Sequence, residues 1–587
     1  MFPVDVRSRV LRANYASDKP NGNFYYFANL FGDRYAHIYS WHGREWMPGN
    51  IVAWVFIALS VLAYWLLNSH RNITITTTFR LIFTGVVFLL IPLLYTPEKW
   101  LRDALFQMAG VMAGLAFYFT LLQCRFSEFW RVRIINLLLF AVLLQGGIGF
   151  IQLSLLSPDS GLMALSAEGA RPTGVFRQVN VMASFMATGI ASALYLLYLP
   201  QSSDASQQNA PLVPRLLRLQ QLAALVLLPA MLVLLQSRAG YIGAVIVIVA
   251  NFALRWREFP RQTIVFAGLI ILGLLTGYSL MMAADLVTPV SHEGSNLERW
   301  KILQITLTMI ATHPLSGWGY GSFEYSFAHF ALGMTPPIAG MGVITHPHNE
   351  LLFGWVEGGV SALLGYVLIA VAFIRLMFLA WRQVNKHCFA LWLLMMPIAI
   401  HSQLEYPFYM STAHWLIFLL LLSLTDVAVS NITVVSKPKM NGVIRMAMCL
   451  AALAGLTLML PTLQTQILLT MAEQLQMKQA RIHFPLLEQQ LWQPWLLRER
   501  VDYDRQVSQL LQYNQSRAPQ ILQHYLDWSQ VYLSRHVDAN VYASRIAILR
   551  FNRDVDEAEK LRQEASQIFN RDIRFQLPAV IAVQESK

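Results

Sequence analysis

Stretches of about 17 to 22 apolar residues recur at least ten times along this chain, each long enough at 1.5 Å per residue to cross roughly 30 Å of hydrocarbon as a helix. No other feature narrows the choice of fold so far. A lone segment in lipid must satisfy its own backbone hydrogen bonds, which a helix does, so the expected class is all-α, a polytopic membrane protein. Twelve spans are expected, at about 51–67, 81–96, 104–123, 134–155, 181–200, 218–236, 239–255, 263–283, 351–374, 389–402, 412–430 and 442–462. Only 13% of the 587 residues are charged, against roughly 25% in an average soluble domain. The net charge of +11 would suit a nucleic-acid partner if Lys and Arg formed one basic domain. They lie instead in short loops between spans, the pattern that sets orientation in a membrane, and no nucleic acid is expected.

The basic loops around Arg71 and Arg80, Arg125 to Arg133, Arg215 and Arg218, Arg255 to Arg261, Arg382 and Lys386, and Lys437 to Arg445 fall on one side of the alternating spans. Positive-inside asymmetry assigns that side to the cytoplasm. Cys124 and Cys388 fall there too, in keeping with reduced thiols, and none of the three cysteines has the C-x-x-C spacing of a metal or redox framework. The other side receives the loop at 156–180, the turn at Ser237-Arg238, the long loop at 284–350, the segment around Glu405, and everything after about 463. The chain thus divides into an N-terminal segment at 1–50, spans over 51–283, a large outward loop at 284–350, spans over 351–462, and an outward soluble helical domain at 463–587. The first fifty residues are polar and Arg-rich and do not read as a cleavable signal. Their charge sits on the cytoplasmic side only if the segment near Asn23–Trp46 crosses or dips into the bilayer. In the last 125 residues, Tyr542, Ala543, Ile546 and Leu549, then Ala558, Leu561, Ala565 and Ile568, recur at helical spacing. That pattern suits stacked hairpins of the tetratricopeptide kind.

Chemistry-bearing residues gather on the outward side. Ser295 and Glu298 have the spacing of a capping box, which places Arg299 in the first turn of a helix that Pro314 ends. An arginine beside free helix-start N–H groups is a seat for an anion such as a diphosphate; pairing with Glu298 or with headgroups is the alternative. His346 and His348 stand where the loop re-enters the membrane. A neutral imidazole there is either a general base near neutral pH or a hydrogen-bonding helix start. Two histidines at i and i+2 also suggest a metal, but only His313 and a few carboxylates offer further ligands, which argues against zinc. Arg238 sits in a turn between two apolar spans, where a charge is costly unless it snorkels or serves a function. Glu405 and Tyr406 end a span and supply a carboxylate and a phenol, and Arg177 with Asn180 precedes another.

Five segments in this order on one face resemble the O-antigen ligase and polymerase superfamily: Arg177 to Asn180, Ser237-Arg238, the Arg299 helix, His348-Asn349 with Glu357-Gly358-Gly359, and Glu405-Tyr406-Pro407. The Glu405-Tyr406-Pro407 element and the long C-terminal helical region are similar to the PglL-type O-linked protein oligosaccharyltransferases. The likeness spans roughly residues 140 to 570 and departs from the family at the N-terminal stretch and at Ile242, where the arginine motif carries Leu. The resemblance implies a C-type glycosyltransferase-like membrane fold, no metal and no cofactor. It places the protein in the bacterial inner membrane with its site facing the periplasm. It assigns catalysis to His348, Arg299 and Arg238, the arginines clamping a lipid diphosphate and His348 deprotonating or orienting the acceptor. It assigns substrate binding to Arg177, Asn180, His346, Asn349, Glu405 and Tyr406. The implied partners are an undecaprenyl-diphosphate-linked oligosaccharide, a protein acceptor such as a pilin or another exported protein, and membrane lipids.

Two other functions compete. Transfer to lipid A core, or polymerisation of O-antigen units, would use the same donor site, but those relatives usually lack so long an outward tail. A transporter would place its charged residues near the midplane, whereas here they cluster at one face.

Overall fold

A computed structural model describes residues 48–68, 72–156, 170–176, 178–200, 212–283, 287–290, 293–384, 386–435, 438–474, 480–492 and 495–576. Most of the expected N-terminal segment, residues 1–47, lies outside that set. Helices α1 (Pro48–Leu67), α2 (Thr77–Leu90), α3 (Glu98–Cys124) and α4 (Glu128–Ser154) come first, with strand β1 (Ile73–Ile75) between α1 and α2. Then follow α5 (Val179–Leu197), α6 (Leu212–Leu235), α7 (Arg238–Arg255), α8 (Pro260–Ala283), α9 (Glu293–Thr312) and α10 (Phe323–Gly333). Next come α11 (Glu350–Arg382), α12 (His387–Leu393), α13 (Met396–Leu404), the short α14 (Pro407–Met410), α15 (Thr412–Val429), strand β2 (Thr433–Val435) and α16 (Pro438–Gln474). The chain ends in α17 (Ala480–Gln490), α18 (Arg498–Ser516), α19 (Pro519–Leu533), α20 (Ala539–Phe551) and α21 (Val555–Ile568). Among the described residues the molecule is all-α apart from one short antiparallel pairing of β1 with β2. Among the described residues, 12 helical segments are long and apolar enough to cross a membrane, one over each expected span. The chain is an integral membrane protein.

The central span is α5. Its residues from Val181 to Leu197 are buried throughout, enclosed by α4, α6, α7 and α13. Small side chains at Ala183, Ser184, Ala187, Gly189 and Ala191 let neighbouring backbones approach, which is how helices bind one another where lipid offers no hydrophobic drive. A Cβ on Gly240 would stand 2.6 Å from that of Ala183, so the start of α7 lies directly against the start of α5. That contact sets the spacing of the polar residues at both helix starts.

Two elements run differently from the expectation. The span at 351–374 was expected as one helix; α11 is interrupted at Gly359, where φ is 65° and ψ −160°, a region open to glycine alone. The break frees carbonyls, and an extended segment between α9 and α10 takes them up: Trp318 N–H donates to the Val356 carbonyl at 2.9 Å and Gly319 N–H to that of Glu357 at 2.8 Å, while Val360 N–H returns to Leu315 at 3.1 Å. Backbone groups at membrane depth are thereby satisfied by protein. Second, α16 does not stop near 462 but continues to Gln474, because Leu469 packs with Phe484, Val501 and Val507 of the C-terminal helices. Farther on, α20 and α21 form a hairpin in which Tyr542, Ile546, Leu549, Ala558, Ala565 and Ile568 are all buried, as their spacing predicts.

Candidate functional site

The site is organised around one carboxylate. Pro407 prevents α13 from running on, and Glu405, extended at its C-cap, turns into the protein with only 6% of its surface exposed. It accepts from Asn180 Nδ2 at 2.5 Å and Gln178 Nε2 at 3.1 Å, pairs with Arg299 Nη2 of α9, and lies 3.4 Å from His401 Nε2 one turn back. Burial alone would push the Glu405 carboxyl up, but His401, Arg299 and Asn180 outweigh it and hold it at about 2. Asn180 in turn accepts through Oδ1 from Ser237 Oγ at 2.7 Å, and Ser237 caps α7 by accepting from Gly240 N–H at 3.2 Å. Gln178 caps α5 by accepting from Val181 N–H at 2.7 Å. One carboxylate thus ties together the starts of two spans, the end of a third and the loop helix that carries Arg299.

Beside this hub stand the two histidines, in different states. His346 is stacked on Tyr406 with centroids 4.1 Å apart and packs against Phe353 and Tyr409. Its Nδ1 lies 2.9 Å from Thr345 Oγ1. Burial, followed by the charge of His348, drives its pKa down to about 3, so the ring is neutral at any physiological pH. His348 has a left-handed φ of 59°, an uncommon and costly conformation for a residue with a Cβ. The next residue holds it there: Asn349 caps α11 by accepting from Leu352 N–H at 3.0 Å, and its Nδ2 donates to the Gln403 carbonyl at 3.2 Å. Burial first and the Arg299 charge second keep the His348 imidazole below its ordinary value, against an upward pull from Glu405. Its ring lies 5.6 Å from that of Tyr406, and its Nδ1 is buried without a hydrogen-bond partner.

The remaining arginines approach the same hub. Arg238 donates to Asn296 Oδ1 on α9, one turn before Arg299. Arg171 reaches the carbonyls of Leu235 at 3.3 Å and Gln236 at 3.5 Å, bracing the turn that presents Ser237 and Arg238. Burial lowers the Arg171 pKa, and the charge of Glu405 counters it. Of the residues singled out in the sequence, Arg238, Arg299, His348, His346, Asn349, Asn180, Glu405 and Tyr406 come together here, while Arg177 lies outside the described residues. One expectation is corrected. Helix α9 already includes Glu293, so Ser295 lies inside it and caps nothing, and Arg299 sits in the second turn instead of among the free N–H groups. A four-residue spacing does not exclude further helix ahead of it, and the Asn296 side chain is taken by Arg238.

Arg171, Gln178 and His401 were not singled out. Arg171 had a readable signal, an arginine in the same interspan loop as Arg177, whereas His401 and Gln178 matter only through Glu405, which no local pattern discloses. Adjoining the histidines is a cavity of about 1930 Å³ that His346, Glu350, Ser402 and Gln403 line at this end.

Residues 172–197 match a family described as protein glycosylation ligase, residues 223–367 one described as O-antigen ligase, and residues 389–580 one described as virulence factor membrane-bound polymerase, C-terminal. The first stretch holds Gln178 and Asn180, the second Arg238, Arg299 and both histidines, the third Glu405, Tyr406 and the C-terminal helices. No curated protein matches the chain. Ligase families on a membrane scaffold indicate an enzyme that transfers glycosyl groups.

Proposed function

From a chain whose three matches support a place in the O-antigen ligase and polymerase superfamily, we propose an O-linked protein oligosaccharyltransferase. It moves a preassembled oligosaccharide from undecaprenyl diphosphate to Ser or Thr of an exported protein such as a pilin, at the periplasmic face of the inner membrane. The observation that carries this reading is the meeting of an imidazole without a hydrogen-bond partner at Nδ1 and an arginine fixed by a buried carboxylate, His348 beside Arg299–Glu405.

In this reading the acceptor hydroxyl attacks the anomeric carbon of the donor sugar. The carbon–oxygen bond to phosphate breaks, the configuration inverts, and the hydroxyl proton passes to His348. A neutral imidazole is required for that step, and burial together with Arg299 favours the neutral form. The diphosphate leaves with the bonding electrons, and Arg299 and Arg238 face its growing charge, a kind of stabilisation commonly worth several kcal/mol. Arg171 adds a third cation. Glu405 and Asn180 spend their polar atoms on protein partners, so they position the arginine and the helix starts, and substrate contact falls to Arg238, Arg299, His348 and Tyr406. His346, packed among three rings, holds the loop in place.

The test is a host that carries a defined lipid-linked glycan with both a pilin and an unligated lipid A core available. Glycan on the pilin is expected. Glycan on lipid A alone would overturn the protein-acceptor reading in favour of ligation to lipid.

A further inference from the structure

Helix α11 marks where the hydrocarbon ends. Past its break at Gly359, Val360, Leu364, Val367, Val371 and Ile374 are exposed, and Trp381 closes the run. Their spacing of three and four places them on one stripe of the helix. From Val360 to Trp381 the stripe rises about 32 Å at 1.5 Å per residue, close to the thickness of the hydrocarbon. So long a bare apolar stripe on a span faces lipid, which puts the edge of the hydrocarbon near Val360 on the side of the candidate site.

Helix α9 is pinned at that level at both ends. Just past its last turn, the Leu315 carbonyl accepts from Val360 N–H at 3.1 Å and the Pro314 carbonyl from Trp355 Nε1 at 3.1 Å. Near its start Asn296 accepts from Arg238, and the exposed apolar run of α7, Ile242, Val245 and Val249, begins one turn beyond that arginine. A helix of 20 residues, about 30 Å long, is thus laid along the edge of the hydrocarbon, and α9 is not one of the 12 segments apolar enough to cross.

The two faces of α9 differ. Ile302, Ile305 and Met309 pack on Phe323 and Phe327 of α10 and on Phe353 and Val356 of α11, in the part of α11 ahead of the break and so beyond the lipid stripe. On the opposite side Leu297, Trp300, Leu307 and Ala311 are exposed at helical spacing, continued past the helix by Leu315. Glu298 and Lys301, also exposed, lie on one flank of that stripe. An apolar stripe with a charged flank is the pattern of a helix that lies in the plane of a membrane surface, and Trp is at home at that depth.

We propose that α9 rests on the bilayer, with Leu297, Trp300 and Leu307 in the interface of the leaflet nearest the site, and that this seat holds Arg299 at the depth of a lipid-borne diphosphate. The second half rests on the lipid-diphosphate donor reading and adds how the donor is met. The depth of α9 sets the depth of the guanidinium next to Trp300, so a donor anchored by its own lipid reaches Arg299 without being lifted from the leaflet.

The experiment uses the full chain in nanodiscs of phosphatidylethanolamine and phosphatidylglycerol, with a benzophenone photocrosslinker in place of Trp300, Leu307 or Glu298. Phospholipid adducts, read by mass spectrometry, are expected from positions 300 and 307 at about fivefold the yield from 298. Equal yields at the three positions, or cross-links from 300 and 307 to another segment of the chain in place of lipid, overturn the proposal and leave the transfer reading standing. All three side chains are exposed, so the comparison does not depend on a variant of the core. In the same nanodiscs Trp300→Glu should raise KM for an undecaprenyl-diphosphate-linked glycan about tenfold with kcat within about twofold, while Trp300→Phe keeps the original KM. An unchanged KM in Trp300→Glu overturns the link between the lipid seat and the donor. Lipid adducts from a chain that transfers nothing from this donor support the seat and overturn the donor reading.

Discussion

Two histidines in this molecule sit among the same kinds of neighbour and are set up in opposite ways. At the junction between α10 and the C-terminal helices, His536 is held between Glu499 and Glu324. Although burial opposes it, the two carboxylates hold its pKa up at about 10. At the candidate site the carboxylate is saturated instead: Glu405 collects Asn180, Gln178, Arg299 and His401, and the neighbouring His348 has no partner at Nδ1. An imidazole flanked by two carboxylates is held as a cation, whereas one beside an arginine, next to a carboxylate already engaged by other partners, is kept neutral and able to take up a proton. The charge of the neighbours thus separates the two groups, though the residue types are alike.

The largest effect is expected where the unpaired ring is removed. His348→Ala should reduce glycan transfer by about 10² to 10⁴-fold, the usual worth of a positioned base, with membrane insertion unchanged by protease mapping. Full transfer by this variant would remove His348 from the mechanism. Next comes Arg299→Lys, which keeps the charge but loses the planar fork that reaches both Glu405 and a phosphate. A loss of about 10² to 10³-fold in donor turnover is expected, and unchanged turnover would make Arg299 a purely structural partner. The two arginine variants also separate charge from geometry. Arg299→Gln removes a charge that depresses the His348 pKa, so the acid limb of its residual rate should move to higher pH, while that of Arg299→Lys should not.

Glu405→Gln should have an intermediate effect. The amide would turn an N–H₂ group toward some of the four donors the carboxylate now satisfies, and loss of one partner in a buried ion pair commonly costs about 3 to 5 kcal/mol. A lowered unfolding temperature together with roughly tenfold slower transfer is expected, since Arg299 and the starts of α5 and α7 would no longer be fixed to one another. Normal stability with normal transfer would mean that Glu405 is not the organiser that its hydrogen bonds make it.

The sequence disclosed the two regions unequally. The spans were legible because twenty apolar residues have few alternatives in lipid. His348, Arg238 and Glu405 could be found because each places a polar group at the head or foot of such a span. The hub itself was hidden: Glu405 meets Asn180 from 225 residues away and Arg299 from 106, and no periodicity encodes that. The break in α11 was hidden for the same reason, because the carbonyls freed near Gly359 are tolerable only with the Leu315 to Gly319 segment alongside. The extension of α16 to Gln474 depends on Phe484 and Val501, partners that follow it in the chain. In the C-terminal hairpin of α20 and α21, where contacts are local, helical spacing alone located the buried residues.

The smallest effect on transfer is expected at the junction. His536 is bound more tightly to its proton in the folded chain than in the unfolded one, so it contributes stability that is fully present below about 6.5, the ordinary value for a histidine. That contribution fades as pH rises toward about 10. The groups facing it are Glu324 on α10 and Glu499 on α18, with Asp103 and Arg535 close by. Loosening would act on the site through the loop that carries the histidines, because Gly340 and Gly342 donate their N–H groups to the Gln567 and Ile568 carbonyls at 2.7 and 3.1 Å, where α21 ends. Between pH 7 and 10, hydrogen exchange in α18 to α21 and in the 334–345 loop should therefore rise together, ahead of exchange in α5. The pair of His329 with Glu564 at 3.1 Å weakens in the same direction, since His329 is also raised, so His536→Gln should flatten only part of the pH dependence and His536→Gln with His329→Gln most of it. If exchange at the junction were independent of pH, or rose in α5 first, the two histidines would not be the opposites that their partners imply.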